Sequence, residues 1–337
     1  MKNKINSGRI LVTGGAGFIG SAMIWHLNRL GYTNIIVTDI LKKDDKWRNL
    51  VPLKYEDYYE ADEFLSWLEK DEHLLRDMGI NTVLHFGACS KTTELDASFL
   101  VENNFAYTKI LAEAAIRDDA RFVYASSAAT YGDGSCGMDD KDTNLSKYRP
   151  LNMYAYSKQM FDLWAQKRGW LDSIAGLKFF NVYGPNEDHK EDMRSLPLKA
   201  SFQIKDTGEI GLFKSRHPDY ADGMQMRDFL YIKDAVKMVY HIASNDKLNG
   251  IYNLGSGKAT TWIDLVSPIF KVFGLERNIK FIDMPDSLAG KYQYYTCASI
   301  DKLRESGYNE DITSVEDAVT DYVKNYIIPD AKLDYKD

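Results

Sequence analysis

The run Thr13-Gly14-Gly15-Ala16-Gly17-Phe18-Ile19-Gly20-Ser21 constrains this chain more than any other stretch. A short apolar run, Arg9–Thr13, leads into it and reads as a buried parallel strand. Behind it, Ile19, Ala22, Met23, Leu27 and Leu30 recur at helical spacing until Gly31 supplies a stop. Strand, glycine turn and helix in that order form the context in which such glycines bind a dinucleotide. Gly14 permits the tight turn, Gly17 lets backbone approach a pyrophosphate, and Gly20 lets helix and strand pack closely. The helix start adds free N–H groups and the positive end of its dipole. Asp39 closes the next expected strand, Asn34–Asp39, about 20 residues on, where an acid can bind an adenosine ribose hydroxyl. A nicotinamide dinucleotide is therefore expected. Asp39 alone favours NAD, whereas Lys42, Lys43 and Lys46 just beyond it could neutralise the 2′-phosphate of NADP.

The same alternation continues. Expected strands at Thr82–Ala88, Arg121–Ser127 and Gly176–Tyr183 are separated by expected helices through Asn103–Ile116 and Tyr154–Arg168. Repeated strand-helix-strand units predict an α/β fold, a Rossmann-type doubly wound parallel sheet. Past Gly184 the texture changes. Prolines at 185, 197 and 218 punctuate it, Arg216–Gly223 reads as a polar loop, and strands shorten to Phe229–Ile232 and Ile251–Leu254. We expect a dinucleotide-binding domain over 1–182, with segments near 227–256 returning to it. Residues 183–337 then form mainly a smaller α/β C-terminal substrate domain.

A net charge of −7 argues against a nucleic-acid or anionic-membrane partner, leaving a small-molecule substrate. The N-terminal residues are polar and no apolar stretch is long enough to span a bilayer, so a cytoplasmic location is expected. Cys89, Cys136 and Cys297 have no paired spacing, which predicts neither a disulfide framework nor a metal site.

Tyr154-Ala155-Tyr156-Ser157-Lys158 holds the only Tyr-x-x-x-Lys spacing in the chain. Residues i and i+4 share a helix face, so Lys158 is expected beside Tyr154. A neighbouring ammonium favours phenolate, moving a group of reference pKa about 10 towards a usable general base. Tyr156 is expected to pack. Ser126 and Ser127 end a strand, where carboxyl ends form a ligand crevice and a hydroxyl can hold a reacting oxygen. A non-catalytic dinucleotide sensor would have no need of this acid/base set.

Together these features resemble the extended short-chain dehydrogenase/reductases that act on nucleotide-sugars, in particular the branch that inverts C6 of an ADP-heptose. The matching stretches span most of the chain: 13–21, GACSKTTE (87–94), YASSAATYG (124–132), PLNMYAYSK (150–158), FFNVYGPNEDHK (179–190), RDFLYIKD (227–234), YNLGSGKA (252–259) and GKYQYYT (290–296). The resemblance implies a self-contained redox epimerisation with tightly held NADP, through a ketone re-reduced on its opposite face, for lipopolysaccharide core heptose. Such inversion needs an acid/base group on each face. Tyr154 would be one, assisted by Ser127 and Lys158, and Lys190 matches the second. A lysine can serve if burial or a nearby cation lowers its pKa. Implied cofactor contacts, besides the glycines, are Phe18, Ile19, Asp39, Lys46, the run Phe86-Gly87-Ala88-Cys89-Ser90, Asn103, Lys158, Val182 and Lys190. Implied substrate contacts are Ser127, Asn181, Asp192, Lys199, the run Phe213-Lys214-Ser215-Arg216, Arg227 and Tyr292. Arg227 suits a diphosphate on chemical grounds as well, because guanidinium binds it bidentately. A closed homo-oligomer, a ring of five, is implied too.

The chain departs from that pattern in places. Lys199 stands where the family has histidine, Asp192 where a small residue is common, and Ala61 where a cofactor-contacting lysine is usual. Pro197 is expected to disturb a helix interior. Ala128-Ala129 follow Ser127, where dehydratases place an Asp-Glu pair.

Overall fold

A computed structural model of the chain describes residue 5, residues 7–286 and residues 292–336. Gly290 and Lys291, which open the stretch 290–296 quoted above, lie outside the described residues, as do the polar residues 1–4. The apolar runs become β1 (Arg9–Thr13), β2 (Ile35–Asp39), β3 (Asp57–Glu60), β4 (Ile80–His85), β5 (Arg121–Ser127), β6 (Ala175–Phe179) and β10 (Gly250–Leu254). These seven strands form one all-parallel sheet in the order β3-β2-β1-β4-β5-β6-β10.

Successive residues of a strand face opposite sides of the sheet, and both sides here are covered. Ile10, Val12, Ile35, Val37, Val123 and Leu177 join one buried cluster with α1 (Phe18–Arg29) and α6 (Ile232–Ala243). Leu11, Ile36, Val83, Phe122 and Tyr124 join the other with α2 (Ala61–Lys70), α3 (97–117) and α4 (Met153–Lys167). That is why the central strands read as unbroken apolar runs, whereas edge strand β3 is half exposed.

Residues 181–336 add two smaller sheets. β7 (Asn181–Tyr183) pairs parallel with β9 (Met226–Tyr231), which pairs antiparallel with β11 (Ala259–Thr261). β8 (Ile210–Phe213) pairs parallel with β12 (Ile279–Ile282). α5 (Leu196–Thr207), α7 (Trp262–Phe273) and α8 (Val315–Tyr322) complete this part. β10 leaves it again and closes the edge of the main sheet beside β6.

Four expectations are corrected. The strand expected at Thr82–Ala88 is β4, and its ladder ends at His85, after which the chain turns away from β1. The run expected as one strand over Gly176–Tyr183 breaks at Phe180, because β6 bonds within the main sheet whereas β7 bonds to β9. The helix expected from Asn103 starts at Ala97 and carries a π-turn over Val101–Ala106. Pro197 falls in the first turn of α5, where its missing N–H costs no helical hydrogen bond.

Candidate active site

In this strand order the chain passes from β3 back to β4 on the other side of β1, which opens a crevice at the strands' carboxyl ends. The glycine turn sits there. Gly14 has φ +64°, and a Cβ on it would lie 2.7 Å from the Gly87 nitrogen. On Gly20 a Cβ would lie 2.1 Å from the Gly14 carbonyl oxygen, so helix and turn touch through bare backbone. A Cβ on Gly17 would meet only that oxygen, at 3.1 Å, and otherwise faces the open cleft. α1 begins with no side-chain cap and no acid in its first turn, leaving its first N–H groups directed at the crevice. This cradle fits a dinucleotide diphosphate.

Asp39, at the end of β2, is nearly buried and its carboxylate is fully engaged. One oxygen accepts from the Ala16 and Gly17 amides at 2.9 and 3.2 Å. The other accepts from Ile40 N and Lys46 Nζ, both at 2.7 Å. Lys46 is thus held as the partner of Asp39, with Lys42, Lys43 and Arg48 lining the same end of the cleft.

The cleft has a volume of about 1450 Å³. Every expected cofactor contact lines it, from Gly14, Gly17, Phe18, Ile19 and Gly20 through the Phe86–Ser90 run to Asn103, Lys158, Val182 and Lys190. Ser127, Tyr154 and Asn181 line it as well.

α4 starts at Asn152, whose side chain accepts from Ala155 N at 2.8 Å, and this cap aims Tyr154 into the crevice. Enclosure raises the Tyr154 phenol above its usual value of 10, and a hydrogen bond with Ser127 works against that rise. Lys158 shares the face of α4 that carries Tyr154, as its spacing suggested. Its ammonium turns towards β5 and donates to the Ala125 carbonyl at 3.0 Å, and burial brings it down to about 8. Tyr156, expected to pack, stands exposed on the opposite face of α4. Ser126 also points away from the cleft chemistry: its hydroxyl donates to Asp162 at 2.8 Å.

Asp162 is one turn beyond Lys158 and completely buried. It also accepts from Tyr124 OH at 2.9 Å and pairs with buried Lys178 at 2.8 Å. Asn104, equally buried, accepts from Cys89 N at 2.8 Å and donates to Cys89 O and Ser157 Oγ, each at 2.9 Å. It sits within the π-turn of α3 and fastens the Cys89 run to α4 through Ser157. The sequence reading missed both groups. For Asp162 a signal existed, since 154, 158 and 162 share one helix face; for Asn104 there was none, because π-turns have no sequence rule.

Lys190 approaches from the other wall, on the loop between β7 and α5, with its Nζ 5.1 Å from the centre of the Phe18 ring. Burial lowers its pKa first; Glu187 opposes that shift and Lys199 adds to it. His189 is brought down to about 4, chiefly by burial, and is therefore neutral near pH 7. Asp192 and Lys199 are exposed and bonded to each other, Lys199 Nζ to the Asp192 carbonyl at 2.5 Å; Met193 and Arg194 line the cleft in their stead.

The remaining expected substrate contacts form a second cluster, outside the cleft lining. The Arg227 guanidinium is nearly buried, 5.1 Å from the Tyr292 ring centre and 5.8 Å from that of Trp262. It has no carboxylate partner among the described residues. Tyr292 OH accepts from Trp262 Nε1 at 2.9 Å. Lys214 pairs with Asp283 at 3.0 Å and Arg216 with Asp286 at 2.7 Å, while Phe213 accepts through its carbonyl from Gln225 at 3.3 Å. Ser215 donates its amide to Asp222 at 2.7 Å. β7–β9 pairing ties this cluster to the cleft, for Asn181 donates to the Asp228 carbonyl at 3.2 Å, next to Arg227.

A doubly wound parallel sheet with a dinucleotide-sized cleft at its switch point defines a Rossmann-type, dinucleotide-binding class of protein. The profile described as the NAD dependent epimerase/dehydratase family matches residues 10–255. The chain belongs to that family, and it is an isomerase of the epimerase type. It is 53% identical over 317 residues to the ADP-L-glycero-D-manno-heptose-6-epimerase of Nitratidesulfovibrio vulgaris (strain DP4), covering 94% of this chain and 97% of that protein. To the same-named enzyme of Fusobacterium nucleatum it is 45% identical over 331 residues, covering 94% and 98%. The crystal structure of Helicobacter pylori ADP-L-glycero-D-manno-heptose-6-epimerase superposes with a TM-score of 0.76 at 26% identity, covering 96% of this chain and 98% of that one. No helix among the described residues is long and apolar enough to cross a membrane.

Proposed function

We propose that this chain inverts C6 of ADP-D-glycero-D-manno-heptose to give ADP-L-glycero-D-manno-heptose, by transient oxidation to the 6-ketone and re-reduction on the opposite face. The observation that carries this reading is that Tyr154 and Lys190, two side chains capable of proton transfer and both shifted by burial, come from separate elements to line one cleft with the glycine turn. Inversion at a carbinol centre requires one proton-transfer group per face.

NADP would be held by the glycine turn with Phe18 and Ile19 at its diphosphate, and by Lys46 beside Asp39 at its adenosine. The Phe86–Ser90 run, Asn103 and Val182 would line its nicotinamide end. Bound there, it supplies a hydride acceptor and then a hydride donor. NADP is favoured over NAD because both Asp39 oxygens are already engaged and four cationic side chains line that end. Tyr154 takes or returns the proton of the 6-hydroxyl on one face, and Ser127 hydrogen-bonds the reacting oxygen. Lys158, anchored on Ala125 O, keeps a positive charge under the site. Lys190 moves the proton on the other face. Arg227, an unmatched cation packed between aromatic rings, would take the substrate diphosphate, with Asn181, Tyr292 and the Phe213–Arg216 run around the nucleotide and Asp192 and Lys199 at the rim. Residues 1–182 would serve chiefly the cofactor and 183–337 chiefly the sugar. The product would feed lipopolysaccharide core assembly from the cytoplasm, and the working form would be a closed homo-oligomer, a ring of five.

Incubation with ADP-D-glycero-D-manno-heptose, followed by NMR at C6, tests the reading. Inversion is expected, and Lys190→Met and Tyr154→Phe should each abolish it with cofactor still bound. Turnover of a UDP- or GDP-sugar in place of the heptose would move the assignment to another epimerase or reductase of the family. Mass spectrometry of the nucleotide released on denaturation should find NADP; NAD alone would overturn that choice.

A further inference from the structure

The loop carrying Lys190 is organised by a carboxylate that touches neither solvent nor the cleft. Glu187 is completely buried. One of its oxygens accepts from Gly184 N at 3.2 Å, Ser195 Oγ at 2.6 Å and Tyr322 OH at 3.1 Å, and the other from Ser195 N at 2.7 Å. Its backbone carbonyl accepts from the Lys190 amide at 3.0 Å. Four donors replace the water that a buried carboxylate loses, and in doing so they draw the two ends of the loop, Gly184 and Ser195, onto one point. The residues on either side are held from the C-terminal segment: Asn186 accepts from Leu333 N at 3.1 Å and Asp188 pairs with Lys332.

We propose that Glu187 is the positioning residue of Lys190: its carboxylate, clamped by Ser195 and Tyr322, fixes where the Lys190 ammonium stands and keeps a negative charge behind it. The proposal rests on the reading of Lys190 as an acid/base group. The other charges around Lys190 are otherwise accounted for. Lys46 is matched by Asp39 and Asp188 by Lys332, His189 is neutral near pH 7, and Glu191 is exposed beside Lys91 at 3.8 Å. Burial raises the Glu187 carboxyl itself, and Lys190 together with the Ser195 and Gly184 donors opposes that rise. Lys199 works against a second cation, which leaves Glu187 as the anion that favours the Lys190 charge. Removing that anion should let Lys190 deprotonate at lower pH.

The test is competitive acetylation of the holoenzyme with acetic anhydride across a pH series, with the Lys190 peptide read by mass spectrometry and kcat and KM measured alongside. Glu187→Gln should lower the Lys190 midpoint by about one pH unit and kcat by roughly tenfold or more, with KM within about twofold. Glu187→Asp, which keeps the charge, should return the midpoint towards that of the native protein. Tyr322→Phe keeps the charge and loses one clamp, so the midpoint should hold while kcat falls severalfold. A folded Glu187→Gln protein with unchanged midpoint and kcat, or with a change in KM alone, overturns the proposal. Should that variant not fold, full kcat in Tyr322→Phe overturns it. Full activity in Lys190→Met would instead sink the role given to Lys190, and the acetylation midpoint would still report on the clamp.

Discussion

At the scale of single residues, the placing of Tyr154 and Lys158 on one helix face is legible in sequence but their electrostatics are not. Spacing put Tyr154 and Lys158 on one helix face, and they are there; spacing could not say that Lys158 would turn to the Ala125 carbonyl. Burial brings Lys158 down to about 8, so its ammonium is lost as pH rises through that value. If that charge supports turnover, kcat should decline on the alkaline side with an apparent pKa near there. Lys158→Arg, whose guanidinium stays charged, should show a lower rate without that decline; an identical alkaline limb in the arginine variant would remove Lys158 from the explanation. The Lys178–Asp162 pair was invisible for a different reason. Its partners come from separate strands and a helix, and only the folded sheet brings them together.

At the scale of elements, the glycine turn separates two demands that the sequence presents as one motif. Gly20 is required by packing, since a Cβ there would collide with the Gly14 carbonyl. Gly17 is less tightly held: a Cβ there would press the Gly14 carbonyl oxygen at 3.1 Å, which must shift slightly, and would otherwise project into the cleft where a dinucleotide would lie. Gly20→Ala should therefore lower the melting temperature, at a cost on the order of 1–3 kcal/mol for overpacking, and lose cofactor with it. Gly17→Ala should cost less in melting temperature than Gly20→Ala yet be purified with little nucleotide. Equal cofactor content in Gly17→Ala and the native protein would contradict this division. Strand and helix existence was readable because apolar periodicity is strong in a sheet covered on both faces. Boundaries were not. The break at Phe180 depends on which neighbour each half of the run bonds, and the π-turn in α3 on a buried asparagine.

At the scale of the whole molecule, stability is tied to both pH and the chain's end. Burial lowers His26 and His189 to about 4, well below the 6.5 of an unfolded histidine. As pH falls below that value the unfolded chain takes up protons that the folded one refuses, so these residues' contribution to stability is present above about pH 6.5 and lost towards pH 4. His26→Asn should flatten the fall in melting temperature between those limits; an unchanged slope would show that His26 is not involved. The C-terminal segment reaches back across the fold, with buried Leu333 bonded to Asn186 and the Asp334 carbonyl accepting from Trp25 Nε1 at 2.9 Å. Truncation after Ile328 should cost about 2–4 kcal/mol for the lost leucine and its bonds. Activity should fall further than stability explains, because the Asn186 and Asp188 contacts go with it. Wild-type kcat in a folded truncation would argue that the tail is only a staple.

The return of β10 to the main sheet has a consequence for synthesis on the ribosome. β6 is complete once Phe179 has emerged, but its outer edge stays unpaired until Gly250–Leu254 arrive, roughly seventy residues later. At about 5–20 residues per second that interval lasts several seconds, during which a nascent chain displays an apolar strand edge to its neighbours. Slow codons between those two strands would lengthen the exposure, and overexpression would crowd such edges together. Aggregation of this enzyme should therefore follow translation speed across residues 180–249 more closely than the melting temperature of the finished protein.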